Sequence, residues 1–450
     1  MKFGGNMLGT ESGIHDAVGV IAAQRKIWSR NVVVTSAIAG VTDALHDVVD
    51  IAKSGDQKAL RADVAALREI HMQSAQLALN DPRLQKTLHK ELDALFFDLL
   101  DTCDIIRQKH QADAALQDRV VAMGEMFMTR IVAAAGRARG LDCVAMDATH
   151  LIVTDERHAN ARPITQLSQQ RLEQNLSPLL DRHIIPVITG YIGATELGAV
   201  TTLGRGGSDY SATYLGGLLG ADEVWFFTDV EGLMSADPDA VDDARMLPTS
   251  SYREVAEMAH FGARVIHPRA IEPLIQHGIP LRIRSLAEPD NTGTYICDVN
   301  ETLTNRIHAV TQALGIIISG PSHSNMLEVC NRLISESLND DIQPSLQIDV
   351  HAGSQIVYVA PTSANQDAFL GAIAQLGASD AGSDWLVEEV TAIAVIGSLS
   401  PADYVNVLRA LEKKHIAPAI FGVGHGGVFL LAVEPQHAST ALSSIHKLII

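Results

Sequence analysis

Val200-Thr-Thr-Leu-Gly-Arg-Gly-Gly-Ser-Asp209 gathers glycines and hydroxyls around one Arg and one Asp, immediately before a run from Ser208 to Leu219 that reads as a helix. Gly204, Gly206 and Gly207 let the backbone bend and come close to a ligand, so that consecutive amide N–H groups can converge on an anion. The following helix turns its partially positive amino end toward the same point. Arg205 offers a planar fork that matches a carboxylate in two-point contact, and Asp209 can orient a cation or a metal-bound phosphate. A Gly-rich turn alone is equally an ordinary tight turn. The embedded Arg and Asp, with the strand-like Ala199-Val-Thr-Thr202 ahead of them, shift the reading to phosphate chemistry.

Upstream, Met1-Lys2-Phe3-Gly4-Gly5-Asn6 reads as the end of a strand turning through two glycines. Lys2 there either reaches a phosphate as a point charge or stays solvated. Gly13 to Trp28 has helical spacing, with Ile14, Val18, Ile21 and Ala22 on one face. The β-branched strand from Asn31 to Thr35 runs into Ser36-Ala-Ile-Ala-Gly-Val-Thr42, the kind of junction at which an open parallel sheet binds ligands. Ser36 and Thr42 serve equally as helix caps. Residues 43–118 are helical in pattern and read as a layer or lid without chemistry, their histidines too scattered for a metal site. Glu125, among Val121, Ala122, Met123 and Met126, either caps a helix or faces a cationic ligand group.

Downstream, strands at 141–146, 185–189, 223–227 and 280–284 alternate with helices. Thr228-Asp-Val-Glu-Gly232, leading to Asp237, forms either a nucleotide shelf or a plain surface loop, and Arg264 follows a helix over 252–261. The alternation predicts a three-layer α/β sandwich around a mainly parallel sheet. Beyond residue 305 the texture changes to two βαββ units of similar length, an internal repeat whose exposed strand edges suit side-by-side pairing.

Bulk composition bounds the function. A chain of 450 residues with 47% hydrophobic and 19% charged content predicts a globular protein of two or three domains. Its 34 basic and 53 acidic side chains leave a net charge of −19, which repels nucleic acid and anionic membranes. A small anionic substrate remains compatible if cations concentrate in a cleft. Cys103, Cys143, Cys297 and Cys330 lack paired spacing and read as buried thiols of a reducing compartment. With no leader pattern and no run of about eighteen apolar residues, a cytoplasmic location is expected.

Several of these stretches, in this order, resemble the aspartate kinases of the amino acid kinase superfamily. The resemblance is carried by Lys-Phe-Gly-Gly at 2–5, Val-Val-Val-Thr-Ser-Ala-Ile-Ala-Gly-Val-Thr-Asp at 32–43 and Gly-Glu at 124–125. It continues in Thr-Gly-Tyr-Ile-Gly at 189–193, the glycine-rich motif at 201–209, Thr-Asp-Val-Glu-Gly at 228–232 and Phe-Gly-Ala-Arg-Val-Ile-His-Pro at 261–268. It implies a catalytic domain over 1–298 and two C-terminal ACT-like, ferredoxin-like units over 305–385 and 386–450. It also implies phosphorylation of the side-chain carboxylate of L-aspartate by ATP with Mg2+, at the start of lysine, threonine and methionine synthesis. Lys2 and Asp209 would then be catalytic, with Ser36, Thr42, Glu125, Arg205, Gly206, Gly207 and Ser208 on the substrate. Lys2, Gly4, Gly5, Thr228, Asp229, Gly232, Asp237 and Arg264 would hold ATP, and no resident metal site is implied. An amino-acid effector at the ACT-like units and a homodimer or homotetramer built through them are further expectations. Asn6 and Met7 depart from the family's hydroxyl pair, Arg264 stands where Lys is usual, and Thr149 and Ser285 replace Arg and Asn. Ser322 to Leu327 and Gly424 to Gly427 also depart from the usual effector turns. A non-catalytic amino-acid sensor, or a kinase acting on another small acid, are the alternative readings.

Overall fold

Short runs of β-branched and aromatic residues build a parallel sheet when both of their faces are covered, and residues 1–285 of this chain supply six. A computed structural model describes the chain except for residues 11, 264–265, 289–290, 299–305, 321–327, 329, 333, 335–344, 351–352, 360–368, 373–384 and 450. In it β1 (Lys2–Phe3), β2 (Val33–Thr35), β3 (Cys143–Met146), β4 (Ile185–Thr189), β5 (Val224–Thr228) and β6 (Leu281–Ser285) lie in the order β3-β4-β2-β1-β5-β6, all parallel. By compactness the chain divides into one unit of residues 1–232 and 269–295 and a second of residues 233–268 and 296–450.

Three helices of the first unit begin where the sequence places side-chain acceptors. Helix α1 is Gly5–Leu8 and α2 is Gly13–Arg25. The 43–118 region resolves into α3 (Val41–Ser54), α4 (Gln57–Ala78), α5 (Pro82–Lys109) and α6 (Ala114–Val121), followed by α7 (Met123–Ala138). Asp56, Asp81 and Asp113 each accept backbone N–H groups at the starts of α4, α5 and α6, which supplies acceptors that a helix start otherwise lacks. One continuous core joins these helices to the sheet, with Leu67, Phe96, Leu99 and Phe127 in the same buried cluster as Phe3, Val33, Val187 and Phe227. His71 belongs to that core. Its Nδ1 lies 2.7 Å from the Leu67 carbonyl oxygen, and burial pulls its pKa down to about 4, so it is a neutral packing residue. Cys103, Cys143 and Cys330 are buried thiols, whereas Cys297 is only half-buried.

In the second unit, β7 (Arg306–Gly320), β8 (Leu346–Val350), β9 (Gly353–Val359), β10 (Leu386–Ser398), β11 (Ile420–Val423) and β12 (Phe429–Val433) form an antiparallel sheet ordered β8-β9-β7-β10-β12-β11. The two repeats therefore share one sheet through β7 and β10. Pairing from Arg306↔Ser398 to Ser319↔Leu386 extends β10 well beyond the apolar run at 392–397, because a ladder continues wherever a partner strand offers hydrogen bonds, whatever the side chains. Helix Pro401–Glu412, with a capping box from Ser400 and Asp403, and helix Ala438–His446 complete the second repeat. Ser322 to Leu327, one of the stretches that depart from the usual effector turns, lies outside the described residues. Residues 233–268, read above as part of the 1–298 domain, cluster here for a visible reason. The Val310 N–H donates to the Ser235 carbonyl at 2.8 Å, and Thr311 Oγ1 donates to the Phe261 carbonyl at 3.0 Å. No helix among the described residues is long and apolar enough to cross a membrane.

Phe3 is fully buried and stacks on Phe227 with ring centroids 4.9 Å apart. Phe3→Ala should cost about 3–5 kcal/mol in urea denaturation, while Ile27→Ala, at a position 71% exposed, should stay within about 0.5 kcal/mol of the parent.

Candidate active site

Because β1, β2, β4 and β5 run parallel, their carboxyl ends deliver Gly4, Ser36, Gly190 and Asp229 to one edge of the sheet, the edge at which such sheets take ligands. Lys2 Nζ lies there 2.6 Å from Asp209 Oδ1, with the two side chains only 14% and 19% exposed. Asp209 stands in the first turn of α8 (Gly207–Leu219), whose N-cap Gly206 adopts φ 67° and offers no side-chain cap. The left-handed backbone explains the glycine, and the missing cap leaves first-turn amides open toward a ligand. Gly5 is required on steric grounds, since a Cβ there would sit 2.1 Å from the Ala37 carbonyl oxygen.

Glu125 lies in the first turn of α7 and is 3% exposed. It does not cap α7. Its Oε1 reaches across to accept the Ala37 N–H at 3.2 Å, while Oε2 is buried with no partner among the described residues. Burial pushes the carboxyl up to about 8, against the opposing pull of the Ala37 N–H, its own N–H and the Lys2 charge. A paired contact between Arg130 and Asp147 ties the middle of α7 to the end of β3. Helix α3 starts from Gly40 with φ 81° and no side-chain cap, so neither Ser36 nor Thr42 serves as its cap. The Ser36 N–H donates to the Phe3 carbonyl at 3.2 Å.

On the other side of β1, the Asn6 amide donates to Asp229 Oδ2 at 3.1 Å and Thr228 Oγ1 donates to Oδ1 at 2.9 Å. The Asn6 bond leads in holding the Asp229 carboxyl below the usual range. The amide at position 6 is therefore engaged by a carboxylate of the same edge. Arg205 is exposed and forms no ion pair with the described residues, and Gly232 is buried at the end of the first unit's opening segment. Asp237 belongs to the second unit, where its carboxylate accepts the Asp239 N–H at 3.0 Å, and Arg264 lies outside the described residues. Lys2, Gly4, Gly5, Ser36, Glu125, Asp209, Thr228 and Asp229 are thus drawn to one edge. Among the described residues no group of three or more His, Cys, Asp or Glu side chains is placed to hold a metal. A cavity of about 370 Å³, lined by Met1, Asn31, Val224 and Trp225 among others, opens at the opposite end of the strands and touches none of these groups.

The sequence reading missed Asp118 and Tyr191. Asp118 is 3% exposed and accepts from Thr202, Ala159 and His158, partners 40 to 84 residues away that no local pattern reveals. Tyr191 adopts φ 65°, unusual for a residue with a side chain, and its ring lies against Gly207, where a Cβ would come within 2.7 Å of Cδ2.

Residues 1–285 match the model of the amino acid kinase family. The chain is 34% identical over 320 residues to a chloroplastic bifunctional aspartokinase/homoserine dehydrogenase 1 of Zea mays, covering 70% of this chain and 34% of that protein. It is 32% identical over 308 residues to the aspartokinase of Chlamydia pneumoniae, covering 67% of this chain and 63% of that one. The chain thus spans about a third of the length of the bifunctional relatives it matches. Among solved structures it is similar to E. coli aspartokinase III in complex with aspartate and ADP, with a TM-score of 0.79 at 23% identity over 99% of this chain and 98% of that one. The same enzyme in complex with lysine and aspartate gives 0.81 at 22% identity, again over 99% and 98%. At these identities the likeness shows the fold.

Because burial raises the Glu125 carboxyl, its ionisation opposes the ligand-free fold, and stability falls as pH rises from the ordinary carboxylate range toward about 8, where the loss is complete. Glu125→Gln removes that loss. Its melting temperature relative to the parent should rise by about 3 °C between about pH 6.5 and about pH 9 in scanning fluorimetry, and a constant difference would mean that the carboxyl is not raised.

Proposed function

Since the chain belongs to the amino acid kinase family, we propose that it transfers the terminal phosphoryl group of ATP to the side-chain carboxylate of L-aspartate, giving 4-phospho-L-aspartate and ADP. The observation that carries this reading is the Lys2–Asp209 pair, 2.6 Å apart where the end of β1 meets the amino end of α8. An acceptor carboxylate is already ionised at neutral pH, so the reaction needs no general base. As the carboxylate oxygen bonds to phosphorus, the bond to the ADP oxygen breaks. The protein has to align two anions and neutralise the charge that moves between them.

In this reading Lys2 meets the transferring phosphoryl group and Asp209 holds the ammonium in place. Arg205, free of ion pairs with the described residues, clamps the α-carboxylate. Glu125 gives up its proton and takes the α-ammonium on Oε2, while Ser36, Thr42, Gly206, Gly207 and Ser208 line the acceptor side. Gly4, Gly5, Thr228, Asp229 and Gly232 line the nucleotide side, and the roles given to Asp237 and Arg264 rest on the family resemblance alone. A magnesium ion that arrives on nucleotide phosphates needs only one or two protein carboxylates. Asp209 fits that need, and the ion would spread charge from the phosphoryl oxygens. We assign to the second unit an amino-acid effector and pairing with a second copy of the chain. In support, edge strand β11 presents Phe421 and Val423, 46% and 53% exposed.

Incubated with ATP, Mg2+, hydroxylamine and single amino acids, the protein should yield an acyl hydroxamate with aspartate. No product with aspartate, or more with another acid, rejects the assignment. Lys2→Ala and Asp209→Ala should each lower kcat by about 10²–10³ with the circular dichroism spectrum retained, and a near-parental rate removes that residue from the mechanism. Arg205→Ala should raise the KM for aspartate by about tenfold or more while the KM for ATP stays put, and an unchanged aspartate response excludes the clamp.

A further inference from the structure

We propose that Asp118 is a positioning residue for the acceptor side of this site, holding the glycine-rich loop 203–207 in shape from behind; the proposal builds on the aspartate kinase reading given above. Asp118 lies in α6 and is 3% exposed. A buried carboxylate is costly unless its oxygens are fully supplied with donors, and here they are. Thr202 gives its N–H at 3.1 Å and its hydroxyl at 2.7 Å. Ala159 gives its N–H at 3.1 Å, and His158 Nδ1 lies 2.8 Å away. None of these donors comes from α6 itself, so the carboxylate serves the two segments it joins.

Both segments bear on the loop. Thr202 ends the strand Val200–Thr202, two residues before Gly204, and its carbonyl accepts the Ala161 N–H at 2.9 Å. Ala159 is held at φ 65°, a conformation that a non-glycine residue keeps only when its surroundings impose it. The peptide it sets faces the loop, since a Cβ on Gly204 would lie 3.0 Å from Asn160 Oδ1 and 3.2 Å from the Ala159 carbonyl oxygen. Asn160 Oδ1 also accepts Arg269 Nη1 at 2.6 Å, and the same Nη1 donates to the Leu203 carbonyl at 3.0 Å. The Arg269 guanidinium lies 5.0 Å from the ring centroid of Tyr210, the neighbour of Asp209. The path therefore runs from Asp118 through residues 158–160 to both ends of the segment that carries Arg205, without Asp118 touching a reactant.

Asp118→Asn keeps the volume but turns an NH2 group toward a backbone N–H. It should raise the KM for aspartate by about tenfold while leaving the KM for ATP within about twofold, a split that general destabilisation does not produce. Thr202→Val should act in the same direction, and Thr202→Ser, which keeps the hydroxyl, should restore near-parental values. The double variant should be no worse than the poorer single one, because both cut the same network. If Asp118→Asn does not fold, the Thr202→Val and Thr202→Ser pair decides. Hydrogen exchange separates this inference from the assignment of substrate. Amides 203–207 should exchange faster in Asp118→Asn and Thr202→Val while β2 and β4 stay protected, whether or not the parent phosphorylates aspartate. Unchanged exchange at 203–207, or an unchanged aspartate KM in an active enzyme, overturns the proposal.

Discussion

A strand of two residues sets the geometry of the site. Successive side chains on a strand point to opposite faces, so Phe3 enters the core beneath the helices while Lys2 is turned toward Asp209 on α8. The register Lys2↔Val34 and Lys2↔Phe226 fixes how far the ammonium stands from the carboxyl edge of the sheet. A slip by one residue would exchange the two faces, burying the ammonium and leaving the ring in the site. The stacked Phe3 and Phe227 rings, with the close approach of Gly5 to Ala37, lock that register. Core packing and site chemistry thus share one short segment, Lys2 to Gly5.

The electrostatic setting is unusual for a protein proposed to gather anions, because the chain carries a net charge of −19. Two features reduce that burden at the sheet edge. Asp229 is occupied by donors from Asn6 and Thr228. Glu125 is held in a buried position where its carboxyl titrates at about 8, so near neutrality it is largely uncharged until a cation arrives. Binding an ammonium would then release a proton, which couples affinity for an amino acid to pH in the direction of tighter binding as pH rises.

Features encoded by near neighbours were legible in the sequence. The glycine-rich loop and the β-branched strands depend on residues within a turn or two. Features encoded by distant partners were not. Glu125 meets Ala37 across 88 residues, Asn6 meets Asp229 across 223, and Asp118 meets Thr202 across 84. The same reason accounts for strand β10, whose length follows its partner β7 more than its own apolar run.

Asp118 and Glu125 show how burial separates scaffold from site. Both are 3% exposed, and they lie seven residues apart on consecutive helices. Asp118 has its oxygens taken by a hydroxyl, two backbone N–H groups and a histidine nitrogen. With that set complete, it has nothing left to offer a ligand and can only hold the chain in place. Glu125 receives one backbone N–H on Oε1, and its Oε2 is left unmatched among the described residues. An unmatched polar oxygen in an apolar setting is expensive to keep, and the fold retains one beside Lys2 at the edge where four parallel strands end. A cationic group brought to that edge is the partner that would make the retained cost intelligible.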